Sequence, residues 1–194
     1  MLYENNIPGF MSIKELETLD TIFAPYNKSD AIGIEIGSFL GRSSYQISKT
    51  IHNGKLYCID SWGGWYTQKE WPEEKKFQNF PNKGTVCSLE NFLKYTEDCK
   101  NIIPIMGKSP DIIQDWTQPI DFLFLDGLHT NPNDWDNISF WLPKIKRGGI
   151  LSGHDYRVED MIFPDIIANV NRLENILNQK VINPARTSIW YFVI

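Results

Sequence analysis

Short apolar runs alternate with amphipathic segments along most of the chain. Five runs rich in aliphatic and aromatic residues, each bounded by Gly, Pro or Asp, cover residues 31–36, 55–60, 102–106, 120–126 and 149–154. Near-continuous apolar runs of this length are typical of strands that are buried on both faces of a parallel sheet. The pattern therefore predicts five strands in the interior of a sheet.

Segments with a helical spacing of apolar residues lie between these runs. They cover residues 12–23, 42–51, 86–98, 135–142 and 160–177. Ser12, followed three residues later by Glu15, forms a capping-box pattern that predicts where the first helix begins. The alternation of strands and helices predicts an α/β fold with a doubly wound sheet and helices on both of its faces.

The end of the chain departs from this alternation. Residues 181–182 and 188–194 are both strand-like, and only a turn containing Pro184 separates them. Two strands that are joined by a short turn run antiparallel. We therefore predict a terminal hairpin and one antiparallel strand near the end of the sheet.

Length and composition favour one globular domain over residues 1–194. Hydrophobic residues make up 42% of the chain, and its net charge of −5 argues against a nucleic-acid-binding face. The three cysteines lack metal-ligand spacing, the N-terminus lacks a signal-peptide pattern, and no run reaches the ~20 apolar residues of a membrane span. These features predict a cytoplasmic protein whose partners are neither nucleic acid nor membrane, and they leave homo-oligomerisation open.

Residues 61–84 fit neither pattern. The segment carries six aromatic residues among charges and prolines, namely Trp62, Trp65, Tyr66, Trp71, Phe77 and Phe80. A structureless segment of this length is usually functional or disordered, and so many aromatic residues argue against disorder. We interpret the segment as a lid or substrate wall. The alternative is an excursion that packs only on its own sheet.

A glycine-containing turn follows the first predicted strand, with the sequence EIGSFLG at residues 35–41. The carboxyl end of a strand in an open α/β sheet borders the crevice where ligands bind. Gly37 and Gly41 allow a tight turn and the close approach of a ligand, and the N–H groups that open the next helix favour an anionic group such as a carboxylate. The spacing differs from the G-x-G-x-x-G of dinucleotide enzymes, which counts against NAD.

Acidic and histidine side chains follow three of the other predicted strands. Asp60 closes the second strand, where a carboxylate can bind both hydroxyls of a ribose. Asp126 and His129 follow the fourth strand, and His154 and Asp155 follow the fifth. Carboxylates suit Mg²⁺ or Ca²⁺, and a histidine can deprotonate a hydroxyl near neutral pH. Each residue also has a structural alternative, as a turn or cap residue or as a histidine bonded to a backbone carbonyl.

Taken together, these stretches resemble class I S-adenosylmethionine (SAM)-dependent methyltransferases. The resemblance rests on EIGSFLG at 35–41, Asp60, IDFLFLDGLH at 120–129, and WLPK, GGIL and HDY between residues 141 and 156. The most similar subgroup has Asp-Gly-x-His after the fourth strand and His-Asp after the fifth. That subgroup is similar to the small-molecule O-methyltransferases of macrolide and sugar tailoring. The resemblance implies a Rossmann-like, doubly wound sheet of seven mostly parallel strands with an antiparallel last strand.

The resemblance also implies a role for each candidate residue. The residues that would contact SAM are Glu35, Gly37, Ser38 and Gly41 at its methionine part, Asp60 at its ribose, Ser109 near its adenine, and Asp126. Asp126 and Asp155 would bind a divalent metal, with Mg²⁺ as the candidate. His129, His154 and Asp155 would take part in catalysis, and the family leaves open which histidine acts as the base.

The implied activity is transfer of a methyl group from SAM to a small-molecule acceptor, with a hydroxyl oxygen as the expected target. Two alternatives from other functional classes stay open. One is an NAD-dependent oxidoreductase of similar sheet order, and the other is a non-catalytic nucleotide-binding domain of the same fold. A different enzyme that reuses the fold is a further alternative, because a fold does not fix a function.

Overall fold

The structure is a computed structural model that describes residues 6–63 and 86–194. Within these ranges it contains five α-helices and six strands. In chain order they are α1 (Ile13–Phe23), β1 (Ile32–Ile36), α2 (Arg42–Thr50), β2 (Lys55–Asp60), α3 (Leu89–Tyr95), β3 (Ile102–Met106), β4 (Ile120–Leu125), α4 (Asn133–Trp141), β5 (Ile145–Gly153), α5 (Pro164–Leu177) and β6 (Trp190–Val193). Short 3₁₀ turns lie after α1 (Ala24–Tyr26), after β3 (Asp111–Ile113) and after α4 (Leu142–Lys144).

The strands form one sheet in the order β3-β2-β1-β4-β5-β6. The first five strands are parallel, and β6 runs antiparallel to β5. The chain leaves β1 towards β2 and β3 on one side of the sheet and later resumes on the other side with β4. This reversal creates a switch point between β1 and β4, which is where open α/β sheets bind ligands. The α/β class and the mostly parallel sheet with a reversed last strand are therefore confirmed.

Strand β4 shows how the sheet divides two apolar cores. Phe122 and Phe124 contribute to the core that contains α1 and α2, whereas Leu123 and Leu125 contribute to the core that contains α4 and α5. Side chains alternate between the faces of a strand, so a continuous apolar run is needed wherever both faces are covered. All six residues of β4 are buried.

Helix α1 begins at the predicted capping box. The Ser12 side chain accepts a hydrogen bond from the Glu15 N–H at 3.3 Å, and the Glu15 carboxylate accepts one from the Ser12 N–H at 2.9 Å. Each residue thereby satisfies a donor that the helix itself leaves unpaired. Leu16 and Leu19 then direct one face of α1 into the first core.

The described ranges contain six strands rather than the predicted seven, and the predicted terminal hairpin is reduced to one antiparallel bridge. Ile182 forms a single antiparallel bridge with Tyr191, at the outer edge of β6, with N–H to carbonyl distances of 3.0 and 2.9 Å. The apolar pair 181–182 is too short to extend the ladder, and Asn183 and Pro184 lead directly into the turn. One bridge therefore stands where a further strand was expected.

Most predicted boundaries lie within a few residues of the observed ones. The bounds of β2 and β3 are those predicted, whereas β5 begins four residues early, at Ile145, and α5 begins late, at Pro164. Proline fits the first turn of a helix because the missing N–H has no partner there. None of the helices in the described ranges combines the length and the apolar character that crossing a membrane requires.

The segment 61–84 lies almost wholly outside the described residues, so the lid stays a prediction. Its second residue, Trp62, belongs to the apolar core and is 5% exposed. The indole N–H of Trp62 donates to the Phe39 carbonyl at 2.8 Å, and its ring packs on Phe92 with a centroid distance of 4.8 Å. Trp62 is thus directed towards the core rather than towards a pocket.

Candidate active site

The registers of the parallel strands bring the predicted site residues to one edge of the sheet. Ile36 is paired with both Ile59 and Leu125, and Leu125 is paired with Gly153. The next residue along each strand is Gly37, Asp60, Asp126 and His154, respectively. These four residues therefore lie side by side at the carboxyl edge, with Gly37 and Asp126 on either side of the switch point.

Gly37 has a backbone conformation and a packing environment that exclude a side chain. Its φ is +88°, and a Cβ atom there would lie 2.1 Å from the Asp126 carbonyl oxygen. The Gly37 N–H donates to the Ile59 carbonyl, and the Asp126 N–H donates to the Ile36 carbonyl. The glycine thus allows the loop after β1 to pack directly against the loop after β4.

The side chains of Glu35 and Ser38 point into the protein. Glu35 is fully buried, and its Oε2 accepts hydrogen bonds from the hydroxyls of Ser38, at 2.7 Å, and Ser44. Burial raises the pKa of Glu35, although the surrounding serine hydroxyls oppose that rise. These side chains shape the turn, so a ligand would meet this loop through its backbone.

Contacts within the protein account for the glycine at position 41 and for the serine at position 109. Gly41 precedes α2 with a φ of +93°, and a Cβ atom there would lie 2.6 Å from Thr96 Cγ2. Ser109 follows β3, is 4% exposed, and its hydroxyl accepts a hydrogen bond from the Trp141 indole N–H at 3.2 Å. Both residues border the same edge, and their predicted contacts with a cofactor stay predictions.

Asp60 ends β2 with its carboxylate held by the backbone. Its Oδ2 accepts a hydrogen bond from the Phe39 N–H, and its Oδ1 accepts one from the Trp62 N–H, each at 2.8 Å. Burial raises the pKa of Asp60, and these backbone bonds oppose the rise. The backbone and the hydroxyl of Ser61 also bond to this carboxylate, so Asp60 is an oriented hydrogen-bond acceptor at the end of β2.

Two histidines and two carboxylates converge beyond β4 and β5. His129 Nε2 lies 3.0 Å from Asp155 Oδ2 and 3.8 Å from Asp126 Oδ1. His154 Nδ1 lies 3.4 Å from each of the same two oxygens. Asp155 has a φ of +59°, a left-handed conformation that turns the chain sharply at the end of β5. All four residues predicted from the two motifs are therefore brought together.

The electrostatics of this cluster favour charged groups. Burial disfavours a charged His154, but Asp126, Asp155 and Glu15 outweigh it and raise its pKa well above the usual value. Burial likewise opposes charge on His129, and Asp155 and Asp126 raise its pKa nonetheless. The pKa of Asp155 is lowered because the two histidines overcome the effect of burial. The cluster is thus a partly buried array in which the histidines and carboxylates stabilise each other's charges.

Hydrogen bonds connect the loop that carries His129 to α5. The Asn131 N–H donates to Asp165 Oδ2 at 3.0 Å, and the Asn131 and Asn169 side chains bond each other. Asn169 also donates to Asp134 Oδ2 at 2.8 Å. The His129 ring packs on Phe163 with a centroid distance of 4.7 Å. These contacts fix the ring of His129 beside Asp155.

Two residues of this network were not predicted as site residues. Glu15 Oε1 lies 3.0 Å from His154 Nε2 and accepts hydrogen bonds from the Ser188 N–H, at 3.1 Å, and hydroxyl, at 2.9 Å. The capping box already accounts for Glu15 locally. No local pattern connects it with a histidine 139 positions away, so only the tertiary structure shows the contact.

The cluster can hold a cation or move a proton. Ligand atoms of Asp126, His154 and Asp155 all lie within 4.8 Å of one another, which is close enough for one ion. His129 has a partly exposed side chain and a carboxylate partner, as a general base that is oriented by a third group requires. Both functions predicted from the sequence are therefore compatible with the arrangement.

Comparison with known proteins identifies the family. A family model described as a methyltransferase domain matches residues 34–156, which include the switch-point edge and the cluster of histidines and carboxylates. More than half of the chain lies within that match.

Solved structures share the fold at low identity. The O-methyltransferase NovP has a TM-score of 0.67 and 17% identity, with 94% of this chain and 80% of that chain covered. An O-methyltransferase from Bacillus cereus, in complex with SAH, has a TM-score of 0.62 and 15% identity over 97% of this chain and 85% of that one. A putative methyltransferase from Streptococcus mutans, also in complex with SAH, has a TM-score of 0.58 and 16% identity over 94% and 97%. On the family match, this chain belongs to the methyltransferase-domain family.

Proposed function

We propose that this protein transfers the methyl group of SAM to a hydroxyl oxygen of a small molecule. The observation that carries the proposal is the single edge at which Gly37, Asp60, Asp126 and His154 follow four paired strands. That edge lies at the switch point, where a nucleotide-like ligand is expected. Family membership supports methyl transfer, and the two similar structures that contain SAH support SAM as the donor.

The residues at this edge fit such a donor. SAM, when bound, supplies an electrophilic methyl group on a sulfonium sulfur. Asp60 accepts bonds from the two ribose hydroxyls in this proposal, in addition to the Phe39 and Trp62 N–H groups that orient it. The backbone of residues 37–41 faces the methionine part, where N–H groups before α2 attract its carboxylate.

The cluster beside this edge is the proposed acceptor site. The neutral form of His129 takes the proton of the acceptor hydroxyl on Nδ1, while Asp155 holds the ring through its 3.0 Å contact with Nε2 and stabilises the imidazolium that results. His154 is less suited to this task because it is 5% exposed and both of its ring nitrogens face carboxylates. The protein otherwise contributes alignment of the acceptor oxygen with the methyl group and exclusion of water.

The same cluster fits a divalent cation between Asp126 and Asp155. Two carboxylates and one imidazole nitrogen are a suitable donor set, and their spacing allows one ion to contact all three. These residues would hold a cation beside the acceptor, where its charge would favour the deprotonated oxygen.

Replacing Asp60 by alanine should weaken the binding of S-adenosylhomocysteine by about 1–3 kcal/mol, because the ribose hydroxyls would lose their acceptor in a closed site. Isothermal titration calorimetry measures this difference. Asp98→Ala, an exposed carboxylate after α3, is the matched control and should leave the affinity unchanged. Equal affinity of the parent and Asp60→Ala proteins, both shown to be folded by circular dichroism, would remove the ribose assignment.

Chelation should lower methyl transfer if a cation takes part. An acceptor is first found by screening hydroxylated small molecules with a radiolabelled methyl donor. We then expect turnover to fall in excess chelator and to return when Mg²⁺ or Mn²⁺ is added, because Asp126 and Asp155 would otherwise repel the acceptor oxyanion. Undiminished turnover in chelator would leave the two carboxylates as hydrogen-bonding groups.

A further inference from the structure

The Nε2 atom of His154 contacts two residues that lie outside the region matching the family model. Glu15 comes from the first turn of α1 and Ser188 from the segment before β6, and both lie beyond residues 34–156. His154 Nε2 lies 3.0 Å from Glu15 Oε1 and 2.9 Å from Ser188 Oγ. An ionised carboxylate can only accept, so the Nε2 atom carries a proton and donates it to Glu15.

The position of Glu15 is itself fixed by several contacts. Its carboxylate accepts hydrogen bonds from the Ser12 N–H and hydroxyl, at 2.9 and 2.8 Å, and from the Ser188 N–H and hydroxyl. Ser188 is in turn tied to the loop after β5, because its carbonyl accepts a hydrogen bond from the Tyr156 N–H at 2.9 Å. The pKa of Glu15 is lowered, since these donors and His154 outweigh the opposing effect of burial.

With Nε2 bonded to Glu15, the other ring nitrogen of His154, Nδ1, faces the carboxylates of Asp126 and Asp155. Nδ1 lies 3.4 Å from Asp126 Oδ1 and 3.4 Å from Asp155 Oδ2. Two ligand atoms that are each ~2.1 Å from one ion and 3.4 Å from each other subtend an angle of roughly 110°. Both spacings are therefore compatible with ligands of one cation, whose binding would release the proton that these carboxylates otherwise stabilise on Nδ1.

We propose that Glu15 and Ser188 position His154 as the third ligand, through Nδ1, of a mixed nitrogen and oxygen site that prefers a first-row transition cation such as Mn²⁺ or Co²⁺ to Mg²⁺. This proposal rests on the proposed function only because both use the cluster of histidines and carboxylates beyond β4 and β5. A metal-binding histidine commonly donates its other N–H to a carboxylate, which fixes the ring and makes the ligand more basic. Glu15 has this relation to His154.

The donor set decides the preference between cations. Mg²⁺ requires near-ideal octahedral oxygen coordination and gives up its water reluctantly, whereas imidazole nitrogen suits transition cations. A site of two carboxylates and one imidazole therefore favours Co²⁺ over Mn²⁺, and both over Mg²⁺, when equal concentrations compete.

The test is calorimetric titration of Co²⁺, Mn²⁺ and Mg²⁺ into the metal-free full chain, without methyl donor. We expect Co²⁺ to bind at least tenfold more tightly than Mg²⁺, with a visible absorption band shifted from that of aqueous Co²⁺. In His154→Asp, which makes the set all-oxygen, the preference for Co²⁺ should fall at least tenfold. In Glu15→Gln, Co²⁺ affinity should fall by about 10–100-fold, as for other residues that orient a metal ligand.

Two controls separate this effect from general damage. Glu17→Gln changes an exposed carboxylate on the same helix, and His52→Asn removes an exposed histidine, so neither should alter the binding of Co²⁺. Equal affinities for Co²⁺ and Mg²⁺ in the parent protein, or an unchanged preference in a folded His154→Asp, would overturn the proposal.

A measurement on the unaltered chain covers the case in which the variants do not fold. The chain has three histidines, so its imidazole NMR signals are few. Substoichiometric Mn²⁺ should broaden the signal of His154 most strongly and leave that of His52 sharp. Equal broadening of all three signals would overturn the proposal. S-adenosylhomocysteine, titrated separately, tests the proposed function alone, because the proposed donor site contains no cation.

Discussion

Replacing Gly37 by alanine should destabilise the protein by about 2–5 kcal/mol and abolish binding of S-adenosylhomocysteine. A Cβ atom at this position would overlap the Asp126 carbonyl oxygen, at 2.1 Å, and φ is +88°. Left-handed strain in a non-glycine residue and overpacking each contribute to the cost. Relief of the overlap requires the loops after β1 and β4 to separate, and these loops form the proposed donor site. Urea unfolding and calorimetry measure the two effects.

Gly148→Ala is the control for Gly37→Ala, because Gly148 also has a left-handed backbone conformation but has space for a Cβ atom. Its φ is +78°, and a Cβ atom there would have nothing within 4 Å. Gly148→Ala should therefore cost only the backbone strain, about 1–2 kcal/mol, and should leave ligand affinity unchanged. If the two variants lost equal stability and bound the ligand equally well, close packing of the loops at the switch point would not be needed for the site.

Removing the Glu15 carboxylate should have an effect of similar size. Glu15→Ala leaves the buried Nε2–H of His154 without its carboxylate acceptor and leaves the Ser12 and Ser188 N–H groups without theirs. Breaking a buried charge pair by removing one member typically costs about 3–5 kcal/mol. We expect a loss of this order in the free energy of unfolding, measured by urea denaturation near neutral pH.

Glu17→Ala on the same helix is the comparison. Its side chain forms an exposed pair with Lys14 at 3.3 Å, and pairs of this kind contribute about 0–1 kcal/mol. A Glu15→Ala protein as stable as Glu17→Ala would show that the contacts between α1, His154 and Ser188 do not stabilise the folded chain.

The parallel part of the sheet could be predicted from the sequence because its signal is local. Strand β4 is apolar except for Asp121, and the ends of β2 at Asp60 and β3 at Met106 are marked by polar residues or glycine. Parallel strands that end at one edge also explain why Asp126, His129, His154 and Asp155 were expected together. Their convergence required only the order of motifs and the rule that ligands bind at this edge.

The remaining features depend on contacts between distant segments. The single bridge at Ile182 reflects the few apolar residues before Pro184 rather than a full hairpin. No pattern in residues 35–41 indicates that the Glu35 side chain is fully buried and bonded to the Ser38 hydroxyl. The predicted contacts of Glu35 and Ser38 with a cofactor stay predictions. The role of Glu15 was hidden because a capping box is a sufficient local explanation for that residue.

The most direct test of the central claim is a calorimetric titration of the unmodified protein with S-adenosylhomocysteine and, separately, with NADH. We expect one S-adenosylhomocysteine site with a micromolar or lower dissociation constant, weaker binding in Asp60→Ala, and no binding of NADH. A folded protein that binds NADH but not S-adenosylhomocysteine would contradict that claim.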